Sequence, residues 1–386
     1  MNAKDCRMKV ALIIDEHLKP RVIKIASALS RRGIAVYLLG RRDVNYRLGS
    51  NRKVFQKVIL FNPEKREIHQ ICKAVNADVY HIFAETNISK WIEQFIIENS
   101  KKKKIIFDQY DSYRGFVTDD FDEFARREKN CLENANGVCE RNFEVQYIKE
   151  RFGYKLPAEL QFFDYCYGYE NEADRLDNGE KLKIVYGGRL IGRSIFADKF
   201  SLSRYKIERD GLYYLSQIIN KHNGLFYIIP FQKTMGPFYS EYRNLTKKYS
   251  STFLGNPMDI EELIGFEKQM DYGIDCFDVE ELVKKYSDGT TGIEHKNKYY
   301  ATNKFFDYLD AGIMPIYSRD YELFGKYLEN RGAAIYCKVE DFDDRYDELM
   351  ATRYKNKELA CKARKELSIN NQIVRLINFY DEIIKE

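Results

Sequence analysis

The chain has 386 residues, 32% of them charged and 44% hydrophobic, with a formal net charge of +4. That is longer than one compact core usually grows, so about two domains are expected, in a chain too apolar to be disordered. No stretch approaches the ~18 uncharged apolar residues of a membrane span, and the N-terminus lacks a signal peptide's apolar core, so a cytoplasmic protein is expected.

Eight cysteines stand at positions 6, 72, 131, 139, 166, 276, 337 and 361, never as C-x-x-C and mostly inside apolar runs. Buried free thiols are expected, with neither a zinc site nor a disulfide framework. Residues 1–160 carry about 30 Lys and Arg against about 22 Asp and Glu, so the front of the chain is its basic half. Arg31-Arg32, Arg41-Arg42, Arg47, Arg52-Lys53 and Lys101–Lys104 can attract an anionic acceptor or anionic lipid headgroups.

In chain order, the apolar run Lys9–Ile14 reads as a buried strand, followed by a polar loop and by Pro20 at a natural first helical position. A helix over Arg21–Arg32 places Val22, Ile25, Ala26 and Leu29 on one face, and Gly33 ends it. Strands are expected at Ala35–Leu39, Val58–Phe61, Asp78–Phe83, Lys104–Phe107 and Gly137–Cys139. Helices are expected over Glu64–Val75, Phe121–Asn134 and Asn142–Arg151, with Thr86–Ser100 connecting two of the strands. This alternation predicts a doubly wound parallel sheet of six or seven strands. No G-x-G-x-x-G follows any strand, which argues against a nicotinamide or flavin enzyme.

Tyr165–Lys181 reads as a polar linker. A second α/β series follows, with strands at Leu182–Tyr186, Leu225–Ile229, Thr252–Leu254, Tyr272–Cys276, Ile313–Tyr317 and Ala334–Tyr336. Its helices are expected over Asp210–Asn220, Ser240–Lys248, Asp259–Lys268 and Lys304–Ala311, with one last helix over Asn356–Lys385. Two parallel sheets in one chain would hold a ligand in a cleft at their strand ends. Within Tyr299–Ile316 (YYATNKFFDYLDAGIMPI), Thr302 or Asn303 can cap the helix, so that free N–H groups face an anion. Lys304 adds a point charge, and Asp307 has the reach to accept two hydroxyl hydrogen bonds from a sugar ring.

The order of KVALIIDEHLKPRVIKIASALSRRGIAVYLLG, LKIVYGGRL, TFLGNPMDIEEL and YATNKFFDYLDAGIMPI resembles the GT-B glycosyltransferases, in particular the bacterial polysaccharide and glycan branch. The resemblance implies two Rossmann-like domains facing a cleft: residues 1–165 for the acceptor, residues 166–365 for the nucleotide-sugar donor, and residues 366–386 as a helix crossing back to the first. It implies transfer of a sugar from a nucleoside diphosphate such as UDP to a glycan, lipid-linked or protein acceptor. No cofactor or metal and no nucleic-acid partner are expected, and the basic front half suggests peripheral contact with the inner face of the cell membrane.

Residue by residue, Gly187 and Gly188 match the loop that lets backbone approach the donor diphosphate, and Arg189 or Arg193 the basic residue that neutralises it. Phe253, Leu254 and Gly255 resemble the segment that holds the base. Thr302, Asn303 and Lys304 lie near the diphosphate, and Asp307 stands where an acid grips the ribose. Many relatives carry a glutamate eight residues before that acid; Tyr299 stands there, with Glu294 and His295 a few residues ahead to contact the donor sugar.

An inverting transfer needs a general base. Asp15, Glu16 and His17, then Glu85, then Asp108 with Asp111 follow three strands of the first domain, and Asp111 and Glu85 lead these candidates. His81, inside an apolar strand, reads as a hydrogen-bonded core histidine. Two other readings keep the fold: a sugar-nucleotide 2-epimerase or hydrolase, and a non-catalytic partner subunit.

Overall fold

The computed structural model describes residues 8–16, 18–42, 49–63, 67–113, 122–168, 179–188, 199–230, 237–258, 260–275, 298–318 and 321–386. The chain divides into two compact units, Met1–Tyr165 with Ile369–Glu386, and Cys166–Ser368.

The first unit holds β1 (Lys9–Ile14), α1 (Pro20–Arg31), β2 (Ala35–Arg41), a 3₁₀ turn (Gly49–Val54), β3 (Lys57–Phe61), α2 (Glu67–Val75), β4 (Val79–Ala84) and α3 (Lys90–Asn99). After them come β5 (Lys104–Gln109), α4 (Glu123–Asn134), β6 (Gly137–Glu140), α5 (Glu144–Phe152) and β7 (Ala158–Gln161). Among the described residues these strands form one seven-stranded sheet, ordered β3-β2-β1-β4-β5-β6-β7, and every pairing is parallel. The centre is the most apolar part. All six residues of β4 are buried, and five of six in β1, because helices cover both faces of a doubly wound sheet. Pro20 opens α1, and Val22, Ile25, Ala26 and Leu29 are buried. Gly33, at φ +79°, turns the chain into β2. Strand β7 was not expected. It is an edge strand with no buried residue, so its sequence, AELQ, carries no apolar run.

The second unit holds β8 (Lys183–Gly188), α6 (Lys199–Lys221), β9 (Leu225–Pro230), α7 (Pro237–Lys248), β10 (Thr252–Leu254), α8 (Ile260–Glu267) and β11 (Tyr272–Ile274). It continues with α9 (Lys304–Asp310), β12 (Met314–Tyr317), α10 (Glu322–Glu329), β13 (Ile335–Tyr336) and α11 (Phe342–Glu366). Its sheet runs β10-β9-β8-β11-β12-β13, again parallel throughout.

Helix α10 has no counterpart in the expected elements. Its buried face is only Phe324, Gly325 and Leu328, too short a stripe to stand out as periodicity. The single helix expected over Asn356–Lys385 is two, α11 and α12 (Ile369–Lys385). Neither Gly nor Pro marks the break at Leu367-Ser368. Cys166 N donates to Leu367 O at 3.0 Å, and Cys166 bridges to Ser368, so a tertiary contact ends the helix. Helix α12 then packs in the first unit against α1 and β7, burying Ile373, Leu376, Phe379, Tyr380 and Ile383.

Among the described cysteines, 72, 131, 139, 166 and 337 are buried free thiols and Cys361 is half-buried; Cys6 and Cys276 lie outside the described residues.

Candidate active site

An open parallel sheet offers a crevice at the carboxyl ends of its strands, where the strand order turns back on itself. In the second unit this point lies between β8 and β11. Strand β8 ends in Gly187-Gly188, and Asp275 directly follows β11. Asp275 is buried, and Lys304 Nζ lies 2.6 Å from its Oδ1 while the Thr302 hydroxyl donates to its Oδ2 at 2.8 Å. The Lys304 ammonium also sits 4.7 Å from the centre of the Tyr186 ring. Gly188 makes room for it. A Cβ there would stand 2.4 Å from Lys304 Cε and 2.7 Å from Nζ. The cation is therefore fixed by an acid, an aromatic face and a missing side chain.

Tyr308 joins β8 to the next strand from beneath. It is fully buried; Gly187 N donates to its oxygen, and its hydroxyl donates to Ile274 O, both at 3.0 Å. Beside it stands Glu267, at the end of α8. Glu267 is completely buried, and neither of its carboxyl oxygens has a hydrogen-bond partner. A Cβ on Gly187 would meet its Oε1 at 2.4 Å. Burial, then the charges of Asp307 and Asp310, push this carboxyl well above the usual range. Burial without a hydrogen-bond partner thus favours the protonated form of Glu267 under the glycine turn. Asp310 has a structural task, accepting Tyr167 N at 2.7 Å and Gly168 N at 3.0 Å.

In the first unit the strand order turns back between β1 and β4. A small hollow there is lined by Ile14, Glu16, Lys19, Arg21, Phe83, Ala84, Glu85, Asp108 and Tyr110. Asp108 is 1% exposed, and its Oδ2 accepts Arg21 Nη2 at 2.8 Å and Arg21 Nε at 3.0 Å. The fully buried His81 lies 3.2 Å from the same oxygen through Nε2 and 2.7 Å from the Tyr380 hydroxyl through Nδ1. Burial opposes the charge on Asp108, but Arg21 and then His81 outweigh it and hold the carboxyl below its usual range. Burial likewise keeps His81 below its ordinary value. With Asp108 ionised and His81 neutral, His81 donates from Nε2 to Asp108 and accepts from Tyr380 at Nδ1. Potential ligand atoms of His81, Asp108 and Cys139 lie within 4.8 Å of one another. The Arg21 guanidinium occupies this cluster, with Nη2 3.6 Å from Cys139 Sγ, so a cation already neutralises it.

No family model matches the sequence, and no curated protein matches it. Solved structures do. An alpha-glucosyltransferase solved with UDP and a 13-mer DNA containing an HMU base aligns at TM-score 0.60 and 10% identity, over 98% of this chain and 100% of that one. AviGT4, a glycosyltransferase involved in avilamycin A biosynthesis, aligns at 0.56 and 10% identity, over 98% of each chain. A putative UDP-N-acetylglucosamine 2-epimerase from Listeria monocytogenes aligns at 0.53 and 10% identity, over 96% of this chain and 95% of that one.

The chain has the GT-B fold.

On this GT-B chain the expected donor residues divide clearly. Gly187, Gly188, Thr302 and Lys304 come together around Asp275 and Tyr308. Asn303 is the residue before α9, yet its side chain makes no capping bond; Lys304 N instead donates to Thr302 Oγ1 at 3.3 Å. Asp307, one turn into α9, is half-buried. Phe253 is 43% exposed on edge strand β10, its ring stacked on Tyr227 at 5.1 Å. Leu254 beside it is half-buried, and Gly255 N donates to Ile228 O at 2.9 Å. Tyr299 is buried. Arg189, Arg193, Glu294, His295 and His17 lie outside the described residues.

Both leading base candidates are engaged. Glu85 pairs with Lys19 at 2.5 Å, and Asp111 lies 3.4 Å from Arg141 and accepts Asn142 Nδ2 at 3.3 Å. Asp15 is fully buried and accepts Trp91 Nε1 at 2.8 Å. Asp108, expected in the loop, lies within β5.

Asp275, Tyr308 and Glu267 were not singled out from sequence. Asp275, an acid at a strand's carboxyl end, carries a signal that sequence reading can use. Tyr308 and Glu267 read as members of an amphipathic helix. Arg21 also carries a signal, since it lies in α1's first turn next to the buried Val22.

Proposed function

We propose that this chain is a nucleotide-sugar-dependent glycosyltransferase of the hexosyl type. The observation that carries the reading is Lys304, pinned by Asp275 beside Gly188 at the strand-order reversal of the second unit. As the anomeric bond of a nucleotide sugar breaks, negative charge gathers on the departing diphosphate. A cation held in place beforehand stabilises that charge without reorganising. Gly188 leaves backbone accessible beside it, and Asp307 is placed one helical turn on to accept ribose hydroxyls. Lys304 supplies the positive charge a divalent ion would otherwise bring, so transfer without metal or other cofactor is part of the reading.

UDP is the nucleotide we favour, and a glycan, lipid-linked or protein acceptor in bacterial surface polysaccharide synthesis the role. Support comes from the structures sharing the fold, of which one holds UDP and another belongs to an avilamycin glycosyltransferase. The DNA in the first belongs to that protein; here no nucleic-acid acceptor is proposed. Arg31, Arg32, Arg52, Lys53, Lys101 and Lys102 are exposed in the first unit, which supports peripheral contact with the anionic inner face of the cell membrane. Arg41 and Arg42 contribute less, being paired with Asp15 and Glu67. Among the described residues no helix is long and apolar enough to cross a membrane.

The test is a melting experiment with UDP, GDP, ADP and CDP, since a ligand bound only by the folded chain stabilises it. At least one should raise Tm, and no response to any would overturn the reading. The fold shared with a putative 2-epimerase keeps one alternative in play. Incubation with labelled nucleotide sugar and no acceptor separates them, because conversion of the donor to an epimer would exclude the transferase.

A further inference from the structure

We propose that the Tyr308 hydroxyl replaces one backbone hydrogen bond of the second sheet, and by holding the ends of β8 and β11 apart positions the Lys304–Asp275 pair. This role rests on the transferase reading only for the donor that the pair would meet; its geometry belongs to the second unit alone.

The replaced bond follows from the register. Along a strand flanked on both sides, successive residues turn their backbone groups to opposite neighbours. On β8, Leu182 O accepts Leu225 N of β9, whereas Lys183 O accepts Asp271 N, just ahead of β11. Odd-numbered residues of β8 therefore face β11. These two strands pair only as Ile184 with Tyr272 and Val185 with Gly273. Carried two residues further, the same register would have Gly187 N donate to Ile274 O. Both groups go to the Tyr308 oxygen instead, which accepts from Gly187 N and donates to Ile274 O, each at 3.0 Å. Two such bonds meeting at one oxygen span about 5 Å, where a single ladder bond spans about 2.9 Å. The opening is local. Strand β8 stays paired with β9 as far as Gly188 with Pro230, and β11 with β12 as far as Ile274 with Ile316. In the first unit, β1 and β4 pair without such an early stop, from Val10 with Val79 to Ile14 with Phe83.

The surrounding residues are suited to a spacer here. A Cβ on Gly273 would stand 2.2 Å from the Tyr308 ring, so glycine lets the ring lie against β11. Burial, then the charges of Glu267 and Asp275, raise the phenol well above its ordinary value, and it keeps the proton it donates to Ile274. Tyr308 follows Lys304 by four residues and shares its face of α9, so one helix delivers the spacer and the cation together. The Ile274 carbonyl lies in the same peptide plane as the Asp275 N–H. Gly187 adjoins Gly188, where a side chain would collide with Lys304. Tyr308 thus acts through Gly187 and Asp275, as a positioning residue.

The experiment compares Tyr308→Phe with Tyr272→Phe in the full-length chain. Tyr272 is the control because it lies on β11 and its buried hydroxyl also joins two groups, donating to Leu349 O at 2.9 Å and accepting Asn356 Nδ2 at 2.8 Å. Each change removes one buried hydroxyl and keeps the ring, so a merely structural role would make the two alike. The readout is hydrogen exchange of the Lys304 ammonium in ¹⁵N-lysine-labelled protein, its signal assigned with Lys304→Met. Exchange should quicken at least tenfold in Tyr308→Phe and stay within twofold of the parent in Tyr272→Phe. Should Tyr308→Phe fail to fold, Gly273→Ala displaces the ring while keeping the hydroxyl, and should quicken the exchange likewise. Exchange unchanged in the folded variant, or quickened equally in Tyr272→Phe, overturns the inference. At least one of UDP, GDP, ADP and CDP should slow the exchange in the parent. If none does while Tyr308→Phe still quickens it, the spacer stands and the transferase reading falls.

Discussion

Lys304 Nζ stands 2.6 Å from Asp275 Oδ1, and the second oxygen of the same buried carboxylate accepts the Thr302 hydroxyl at 2.8 Å. One acid thus orders both the cation and the residue that leads into its helix. A lysine so held need not be ordered when the diphosphate arrives, which is the condition for a fixed charge to act on a transition state rather than on binding alone. Lys304→Met should lower kcat for sugar transfer by roughly 10²–10³. Lys304→Arg should not fully restore it, because a planar, delocalised guanidinium does not reproduce the compact point charge of the ammonium. Initial rates at saturating donor check both; full activity in Lys304→Met would remove Lys304 from the mechanism.

Gly188→Ala tests the same point from the end of β8. The added methyl would fall 2.4 Å from Lys304 Cε and 2.8 Å from Tyr186 Cζ, so the end of the lysine must shift from its place beside Asp275. Activity should fall to about the level of Lys304→Met, and the double variant should be no worse than either alone, because coupled residues are not additive. Multiplying losses in the double variant would show that Gly188 acts independently, through backbone access to the phosphates.

Asp307 carries the ribose part of the reading. At a UDP concentration a hundredfold above Kd, bound nucleotide adds about 2.7 kcal/mol to stability. Asp307→Ala should remove most of the resulting Tm shift and leave the melting of the free protein nearly unchanged, since the residue is half-buried at the start of a helix. An undiminished UDP shift in this variant would mean that the ribose lies elsewhere.

Much of this arrangement was legible beforehand. The apolar runs of β1, β4, β8 and β9 announce themselves because strands covered on both faces need continuous hydrophobic sequence. Pro20 and Gly33 bracket α1. The grouping of Gly187, Gly188, Thr302 and Lys304 follows from strand ends and helix starts. Other features had no local signature. Edge strand β7 is amphiphilic, the α11–α12 break depends on Cys166, and α10 buries only three residues. The engagement of Glu85 by Lys19, and of Asp111 by Arg141, depends on residues far apart in sequence or brought together by folding. The unpaired carboxyl of Glu267 is likewise invisible in a helix that reads only as amphipathic.

Glu267 makes the last prediction. Its Oε1 lies against Gly187, with Tyr308, Asp307 and Asp310 the titratable groups of α9 that bear on it. Burial and these acids hold its proton on in the folded chain well above the pH at which the unfolded chain releases it, near 4.3 for a free glutamate. Where the folded state binds more protons than the unfolded one, stability falls as pH rises. Glu267 therefore subtracts stability progressively from about pH 4.3 upward, with a slope of at most roughly 1.4 kcal/mol per pH unit. The loss levels off once the pH passes the folded-state value. Glu267→Gln keeps the shape and removes the titration. Its stability should exceed that of the parent at pH 8 and converge on it near pH 4, measured by urea unfolding across that range. Equal stability at both ends would mean that the folded chain accommodates the charged carboxylate without cost, and that Glu267 is not the neutral acid beneath the Gly187 turn.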